Sequence, residues 1–221
     1  MARVLLHIGL HKTATTTLQK NVFYRLKLEE RINYFNSNEN FLPNFDLTPS
    51  ILSGSLSNLE LDEDMLNVIS DERITLFPSF LKSLDNYKQV SNQIDTHDIL
   101  SKYSSALINH NVQILFVIRN QLDYISSLMY TFYNLLKNHY DFDHYSEMIF
   151  DNRGFLIDEI NNGLNYLKIY DSLKKLFNKT NVTLLMYEDL VNNQTDYFKK
   201  ISQLMSVSEE YIRESFQERL N

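Results

Sequence analysis

A lysine and a run of threonines follow the first predicted strand, at residues 12–17. Residues 4–8 are almost continuously apolar, which is typical of a parallel strand covered on both faces. Three apolar residues then recur at intervals of four, namely Leu18, Val22 and Leu26. That spacing predicts one buried helix face, and the first N–H groups of such a helix favour an anion. We therefore expect Lys12 and the hydroxyls to bind a phosphate; the alternative is an ordinary turn with a capping threonine.

A second predicted strand spans residues 113–119, and Arg119 lies at its end. Helical spacing follows, with a predicted inward stripe of Leu122, Ile125, Met129, Phe132 and Leu136. The opposite, polar face holds Ser127 together with Asn120, Asp123, Tyr124, Thr131 and Asn134. Ser127 lies about 12 Å along a helix from Arg119, so that the guanidinium can fold back and share one phosphate with the hydroxyl. The alternative is a solvated or Asp123-paired arginine and a serine without a ligand.

Candidate proton acceptors follow two predicted strands, the first strand and a further one over residues 66–69. A strand over residues 66–69 is followed by Asp71 and Glu72, and parallel sheets place their sites at the carboxyl ends of strands. The same residues can simply cap a helix, and that alternative stays open. His11, beside Lys12, is a reserve candidate, whereas His7 is expected to be buried and hydrogen-bonded.

Length and composition favour one α/β domain over residues 1–221. The net charge of −7 argues against nucleic-acid binding, and the chain has no cysteine. His and acidic residues show no metal-ligand spacing, so no metal is expected. No signal peptide or membrane helix is predicted, which favours a cytoplasmic protein without membrane contact. The oligomeric state is not predicted.

The remaining elements complete the predicted sheet and its helices. Further strands are predicted at residues 32–35 and 182–187, and helices at 97–110, 166–177, 195–205 and 208–219. Residues 36–64 form a long polar segment, and such segments are usually functional or disordered. The segment is interpreted either as a flap that contacts an acceptor or as a solvated insertion.

Residues 12–16, Lys-Thr-Ala-Thr-Thr, resemble the 5′-phosphosulfate loop of sulfotransferases that use 3′-phosphoadenosine 5′-phosphosulfate (PAPS). That loop commonly reads Lys-Thr-Gly-Thr-Thr, so Ala14 stands where the family usually has glycine. The pair Arg119 and Ser127 resembles the 3′-phosphate site, an arginine at a strand end with a serine eight residues later. Residues 187–190, Tyr-Glu-Asp-Leu, are also frequent in the family, and a structural role is expected for them. The Arg-Lys-Gly loop of animal cytosolic members is absent.

The resemblance implies a P-loop NTPase-like three-layer sandwich, with a central parallel sheet flanked by helices. It implies transfer of a sulfonate from PAPS to a hydroxyl or amine of a carbohydrate or small molecule, leaving 3′-phosphoadenosine 5′-phosphate (PAP), without a metal. For bacterial relatives a sugar hydroxyl is the first acceptor to expect, although the sequence does not identify the acceptor.

The roles implied by the resemblance fall on three groups of residues. Lys12 stabilises the leaving group, and the 5′-phosphate is bound by the loop, namely Lys12, Thr13, Ala14, Thr15, Thr16 and Thr17. Arg119 and Ser127 hold the 3′-phosphate. Glu72 is the candidate general base, with His11 and Asp71 as alternatives. Two other functions remain open, a nucleotide-dependent kinase and a non-catalytic nucleotide-binding module. The kinase is disfavoured because its phosphate loop needs a glycine directly before the lysine, and His11 stands there instead.

Overall fold

The computed structural model describes residues 1–9, 13–36, 60–71, 96–136, 164–178 and 181–217. They contain a five-stranded sheet with the strand order β2-β3-β1-β4-β5, and every neighbouring pair is parallel. The strands are β1 (Arg3–Gly9), β2 (Ile32–Asn36), β3 (Leu66–Ser70), β4 (Asn111–Ile118) and β5 (Val182–Met186). Each crossover therefore returns the chain to the amino edge, and every strand ends at the same carboxyl edge.

Within the described residues, helices lie between β1 and β2, between β3 and β4, between β4 and β5, and after β5. The first three segments follow one another without a break: α1 (Thr15–Thr17), a π-helical turn (Leu18–Phe23) and α2 (Tyr24–Leu28). The other described helices are α3 (Thr96–Ala106), α4 (Gln121–Leu136), α5 (Tyr166–Phe177), α6 (Tyr187–Asn192), α7 (Gln194–Met205) and α8 (Glu209–Gln217).

Two apolar layers cover the two faces of the sheet. Alternate residues of β1 point to opposite faces, so Leu6 and Ile8 join one core and Leu5 the other. The first core contains residues of α3 and α5, and the second contains the first helical segments together with α7 and α8. The predicted fold class, a parallel sheet between two layers of helices, is confirmed.

Some predicted boundaries need correction. The strand predicted at residues 182–187 ends at Met186, and Tyr187 already begins α6. The π-helical turn was not predicted, and its wider winding buries Gln19 beside Leu18. Residues 60–64 of the predicted polar segment lie at the amino edge of the sheet, where the Met1 ammonium contacts Glu63 at 3.0 Å.

Across the described residues, no helix is both long and apolar enough to span a membrane.

Candidate active site

Three strand ends lie side by side at the carboxyl edge of the sheet. Gly9 of β1 pairs with Val117 of β4, and Ile118 of β4 pairs with Met186 of β5. The residues that leave these strands are therefore neighbours, although they are far apart in sequence. This edge is where open α/β sheets bind their ligands.

A cavity of about 500 Å³ opens at this edge. Its lining brings the loop residues Ala14, Thr16 and Thr17 together with Arg119 and Ser127. Thr13 and Thr15 belong to the same loop, but they are buried, with 0% and 1% exposure, and do not line the cavity. Three predicted site residues, namely His11, Lys12 and Glu72, fall outside the described residues.

Arg119 is held against an aromatic ring. Its Cζ atom lies 4.5 Å from the ring centroid of Tyr187, the residue that follows the neighbouring strand. A guanidinium in this position gains cation–π attraction from the ring. The pairing of Ile118 with Met186 explains the contact, because the next residue of each strand leaves the sheet at the same level.

The turn after Arg119 is fixed by its backbone. The Asn120 N–H donates to Glu188 Oε1 at 2.9 Å, and this bond joins the ends of β4 and β5. The Asn120 Oδ1 accepts from the Leu122 N–H at 3.0 Å and so caps α4. The start of the helix that carries Ser127 is therefore tied to the strand end that carries Arg119.

The orientation of α4 differs from the one predicted. Leu122, placed on the inward stripe, is 75% exposed, whereas Tyr124, placed on the polar face, is 1% exposed. Tyr124 and Ser127 are three residues apart and share a helix face, and Ser127 lines the cavity. The cap at Asn120 and the position of Ser127 set the rotation of the helix, so the predicted inward face was wrong at these two positions.

The turn after β1 has an unusual backbone. Ala14 adopts the left-handed conformation, with φ of 62°, and occupies the N-cap position of α1 without a side-chain hydrogen bond. The alternative of an ordinary turn with a capping threonine is therefore excluded at this cap, because the residue in the N-cap position is an alanine. A helix start without a side-chain cap suits a bound anion. The geometry also explains why a glycine serves well at this position.

Buried polar side chains support the loop from below. The His7 Nδ1 and Ser70 Oγ atoms lie 2.8 Å apart, and Gln19 Nε2 donates to the same oxygen at 3.0 Å. His7 is fully buried, as predicted. Asp71 is 1% exposed, and its Oδ2 accepts from the Tyr103 hydroxyl at 2.8 Å. An acceptor molecule therefore meets a closed surface at Asp71, which makes it a poor general base.

A neutral tyrosine lies beside the second junction. Burial raises the pKa of Tyr166, the Glu188 carboxylate raises it further, and contacts with Arg119 oppose the shift. The phenol therefore keeps its proton throughout the physiological range.

Several cavity-lining residues were not predicted as site residues. They come from the last three helices and include Tyr187, Phe198, Arg213 and Phe216. Tyr187 was given a structural role, and the final two helices were given none. The available signal was an arginine on a short amphipathic helix in an acidic chain, which by itself does not distinguish a site from a solvated surface.

The strand order and the parallel pairing define a P-loop-like α/β fold. The chain is similar to a crystal structure of a sulfotransferase from Alicyclobacillus acidocaldarius, with a TM-score of 0.57 and 12% identity over 95% of this chain and 83% of that one. A mouse sulfotransferase, SULT7A1 complexed with PAP, aligns with a TM-score of 0.49 and 13% identity over 98% of this chain and 63% of that one. No curated protein sequence matches the chain.

Residues 3–220 match the family model of the sulfotransferase domain. The chain therefore belongs to the sulfotransferase family. This membership favours sulfonate transfer over the nucleotide-dependent kinase that the sequence had left open.

Proposed function

We propose that this sulfotransferase takes its sulfonate from PAPS and transfers it to a hydroxyl of a carbohydrate or another small molecule. The observation that supports the proposal is the shared cavity, where residues from the β1 turn meet Arg119 and Ser127. These groups are about a hundred residues apart in sequence and come together only through the adjacent pairing of β1 with β4.

The cavity suits an anionic nucleotide in size and charge. Its volume of about 500 Å³ lies within the range of small-molecule sites. Two arginines and no carboxylate are found among its lining residues in the described part of the chain. The described lining is therefore positively charged, although the protein as a whole has a net charge of −7.

Two groups of lining residues would bind the two phosphates of the donor. Thr16 and Thr17, with the first N–H groups of α1, would bind the 5′-phosphate. Arg119 and Ser127 would bind the 3′-phosphate and so hold the reacting end in register. Bound PAPS supplies an activated sulfonate on a good leaving group. Lys12, outside the described residues, would stabilise the negative charge that develops on that leaving group.

Proton removal from the acceptor falls to a residue near the strand ends. Glu72 remains our candidate, with His11 as the alternative, and both lie outside the described residues. Asp71 is disfavoured because its carboxylate is buried against Tyr103. A carboxylate or imidazole within hydrogen-bond reach of the acceptor hydroxyl would act as general base.

Calorimetry with PAP tests the donor site. We expect binding by the wild-type protein, and a loss of about tenfold or more in affinity for Arg119→Ala because one charge-assisted pair is removed. Lys199→Ala, which removes an exposed cation from α7, serves as the control for net charge and should bind normally. Folded wild-type protein that fails to bind PAP at moderate salt would overturn the proposal.

Transfer itself is followed by the conversion of PAPS into PAP in the presence of candidate acceptors. Lys12→Ala should abolish this turnover while the protein stays folded. Normal PAP binding without turnover for any hydroxyl acceptor would instead indicate a non-catalytic nucleotide-binding module. Replacement of Glu72, Asp71 and His11 in turn, without loss of any activity that is found, would indicate the same.

A further inference from the structure

Three buried polar side chains meet on the face of the sheet that the first helical segments cover. His7 of β1 and Ser70 of β3 are direct partners in the parallel register, and both are fully buried. Leu5 and Val68, two residues earlier in the same strands, pack in the core that contains the first helical segments. Gln19 reaches the pair from those segments and is 4% exposed. The cluster therefore joins the ends of two strands to the helix that follows the turn after β1.

Ser70 is the centre of this cluster. Its Oγ accepts from Gln19 Nε2 at 3.0 Å and lies 2.8 Å from His7 Nδ1. A hydroxyl has one proton and two lone pairs, so Ser70 can accept the amide proton and donate its own to the imidazole. Without this hydroxyl, a buried amide N–H and a buried ring nitrogen would both lose a hydrogen bond, and a buried polar group without a partner is costly.

The π-helical turn presents Gln19 to the strands. Gln19 and Phe23 lie four residues apart in this turn, and residues at this spacing share a helix face. The ring centroid of Phe23 lies 5.3 Å from that of His7, in an edge-to-face arrangement. The aromatic contact packs the turn, whereas the amide adds a directional bond, and a buried polar network whose bonds are satisfied rigidifies its surroundings.

Gln19 follows directly on the residues that line the candidate donor cavity. Ala14, Thr16 and Thr17 line this cavity, and the Ala14 carbonyl accepts from the backbone N–H groups of Thr17 at 3.0 Å and Leu18 at 3.1 Å. The first turn is thus closed by its own backbone, and Gln19 is the next residue. A shift of Gln19 would therefore move the first N–H groups of the helix, which are the groups that favour an anion.

We propose that Ser70 is a positioning residue for the 5′-phosphate of the donor and acts through Gln19. The serine fixes the first turn of the helix relative to the ends of β1 and β3. This inference rests on the proposed function and adds a residue that is itself fully buried. Small displacements matter in such a site, because the bound donor must be held in register for transfer.

The test compares PAP with adenosine 3′-phosphate, which lacks the 5′-phosphate. For each variant, affinities from calorimetry give the preference for PAP. We expect this preference to fall about tenfold in Ser70→Ala, because the N–H groups at the helix start are no longer held in place. Gln19→Met keeps the length of the side chain and removes the amide, and it should lower the preference to a similar extent. Both changes together should cost little more than either alone, since they break the same bond.

Ser202→Ala is the matched control. It removes another buried hydroxyl, which donates to the Lys199 carbonyl within α7 at 2.9 Å, and it should leave the preference for PAP unchanged. Urea denaturation checks that each variant is folded, and Gln19→Met decides the test if Ser70→Ala does not fold.

The outcomes separate this inference from the proposed function. A wild-type protein that binds PAP no better than adenosine 3′-phosphate would overturn the 5′-phosphate site and the inference together. A wild-type preference that survives in Ser70→Ala and Gln19→Met would overturn the inference alone. Equal losses for both nucleotides would also overturn it, because Ser70 would then support the fold and not the 5′-phosphate site.

Discussion

The carboxylate of Glu188 accepts a hydrogen bond from the Asn120 backbone N–H, with a distance of 2.9 Å between Oε1 and N. The two residues are separated by 68 positions and lie at the ends of adjacent strands. The preceding residues, Tyr187 and Arg119, are in contact as well, ring against guanidinium. Two consecutive residues after β5 thus hold two consecutive residues after β4. Glu188 thereby positions the arginine without lining the cavity itself.

Loss of the Glu188 carboxylate should loosen this arrangement. We expect Glu188→Ala to weaken PAP binding about tenfold, because a hydrogen bond to a charged acceptor contributes about 1.5–3 kcal/mol. Glu188→Gln keeps an acceptor oxygen and should restore most of the affinity. Both variants are measured by calorimetry.

Asp189→Ala is the matched control for Glu188. It removes an equal charge from the same first turn of α6. If Glu188→Ala and Asp189→Ala bind PAP equally well, Glu188 has no positioning role.

The left-handed backbone at Ala14 provides a prediction about stability. An L-residue other than glycine loses roughly 1–2 kcal/mol in this conformation, whereas a glycine in a helix costs about 0.5–1 kcal/mol relative to alanine. Ala14→Gly should therefore leave the free energy of unfolding unchanged or raise it slightly. Ala106→Gly, at the exposed end of α3, should lower it. Urea denaturation measures both, and equal losses would show that Ala14 is not strained.

Short-range patterns predicted the strands and the two junctions well. The apolar run of β1, the turn that follows it and the pair Arg119 and Ser127 all depend on neighbours within about ten residues. Their placement side by side then follows from the topology of a parallel sheet, which the family resemblance supplied. Local sequence was therefore sufficient for the elements themselves, and the resemblance supplied their arrangement.

Features set by packing between distant segments were not predicted. The rotation of α4 depends on the cap at Asn120 and on its bond to Glu188, so hydrophobicity alone placed Leu122 and Tyr124 on the wrong faces. Arg213 joins the cavity only because α8 packs on helices near the start of the chain. Periodicity within a helix describes its own faces and gives no information on which distant residue each face meets.

The close packing of Gly9 against Thr15 gives a further prediction. A methyl group on Gly9 would overlap the Cγ2 methyl of Thr15, whereas the Thr13 Oγ1 would remain in ordinary contact at 3.6 Å. Gly9→Ala should therefore lower the free energy of unfolding by about 1–3 kcal/mol, the usual cost of overpacking. Thr15→Ser removes the methyl that would collide. Gly9→Ala in the Thr15→Ser background should then cost clearly less than in the wild type.

That double-mutant cycle is read by urea denaturation with PAP binding as a second measurement. A cost for Gly9→Ala that is the same in both backgrounds would contradict the packing explanation. A restored stability with a restored PAP affinity would show that the shape of the loop depends on this contact.

The anchor of α8, the hydrogen bond from the Tyr211 hydroxyl to Glu29, should depend on pH. Burial alone would raise the pKa of Glu29, but hydrogen bonds from Tyr211, Arg25 and Arg31, with the Arg25 charge, hold it below its usual value of 4.5. A carboxyl with a lowered pKa in the folded state contributes stability that is complete above its unfolded pKa and is lost as the pH falls through its folded pKa. The stability difference between wild type and Glu29→Gln, at most about 1 kcal/mol for such an exposed network, should therefore be constant near neutral pH and shrink below pH 4.5.

Glu30→Gln makes the same charge change at the next, exposed residue and should show no such difference in urea denaturation across the pH series. If the Glu29→Gln difference persists unchanged in acid, the carboxylate does not anchor Tyr211 through its charge.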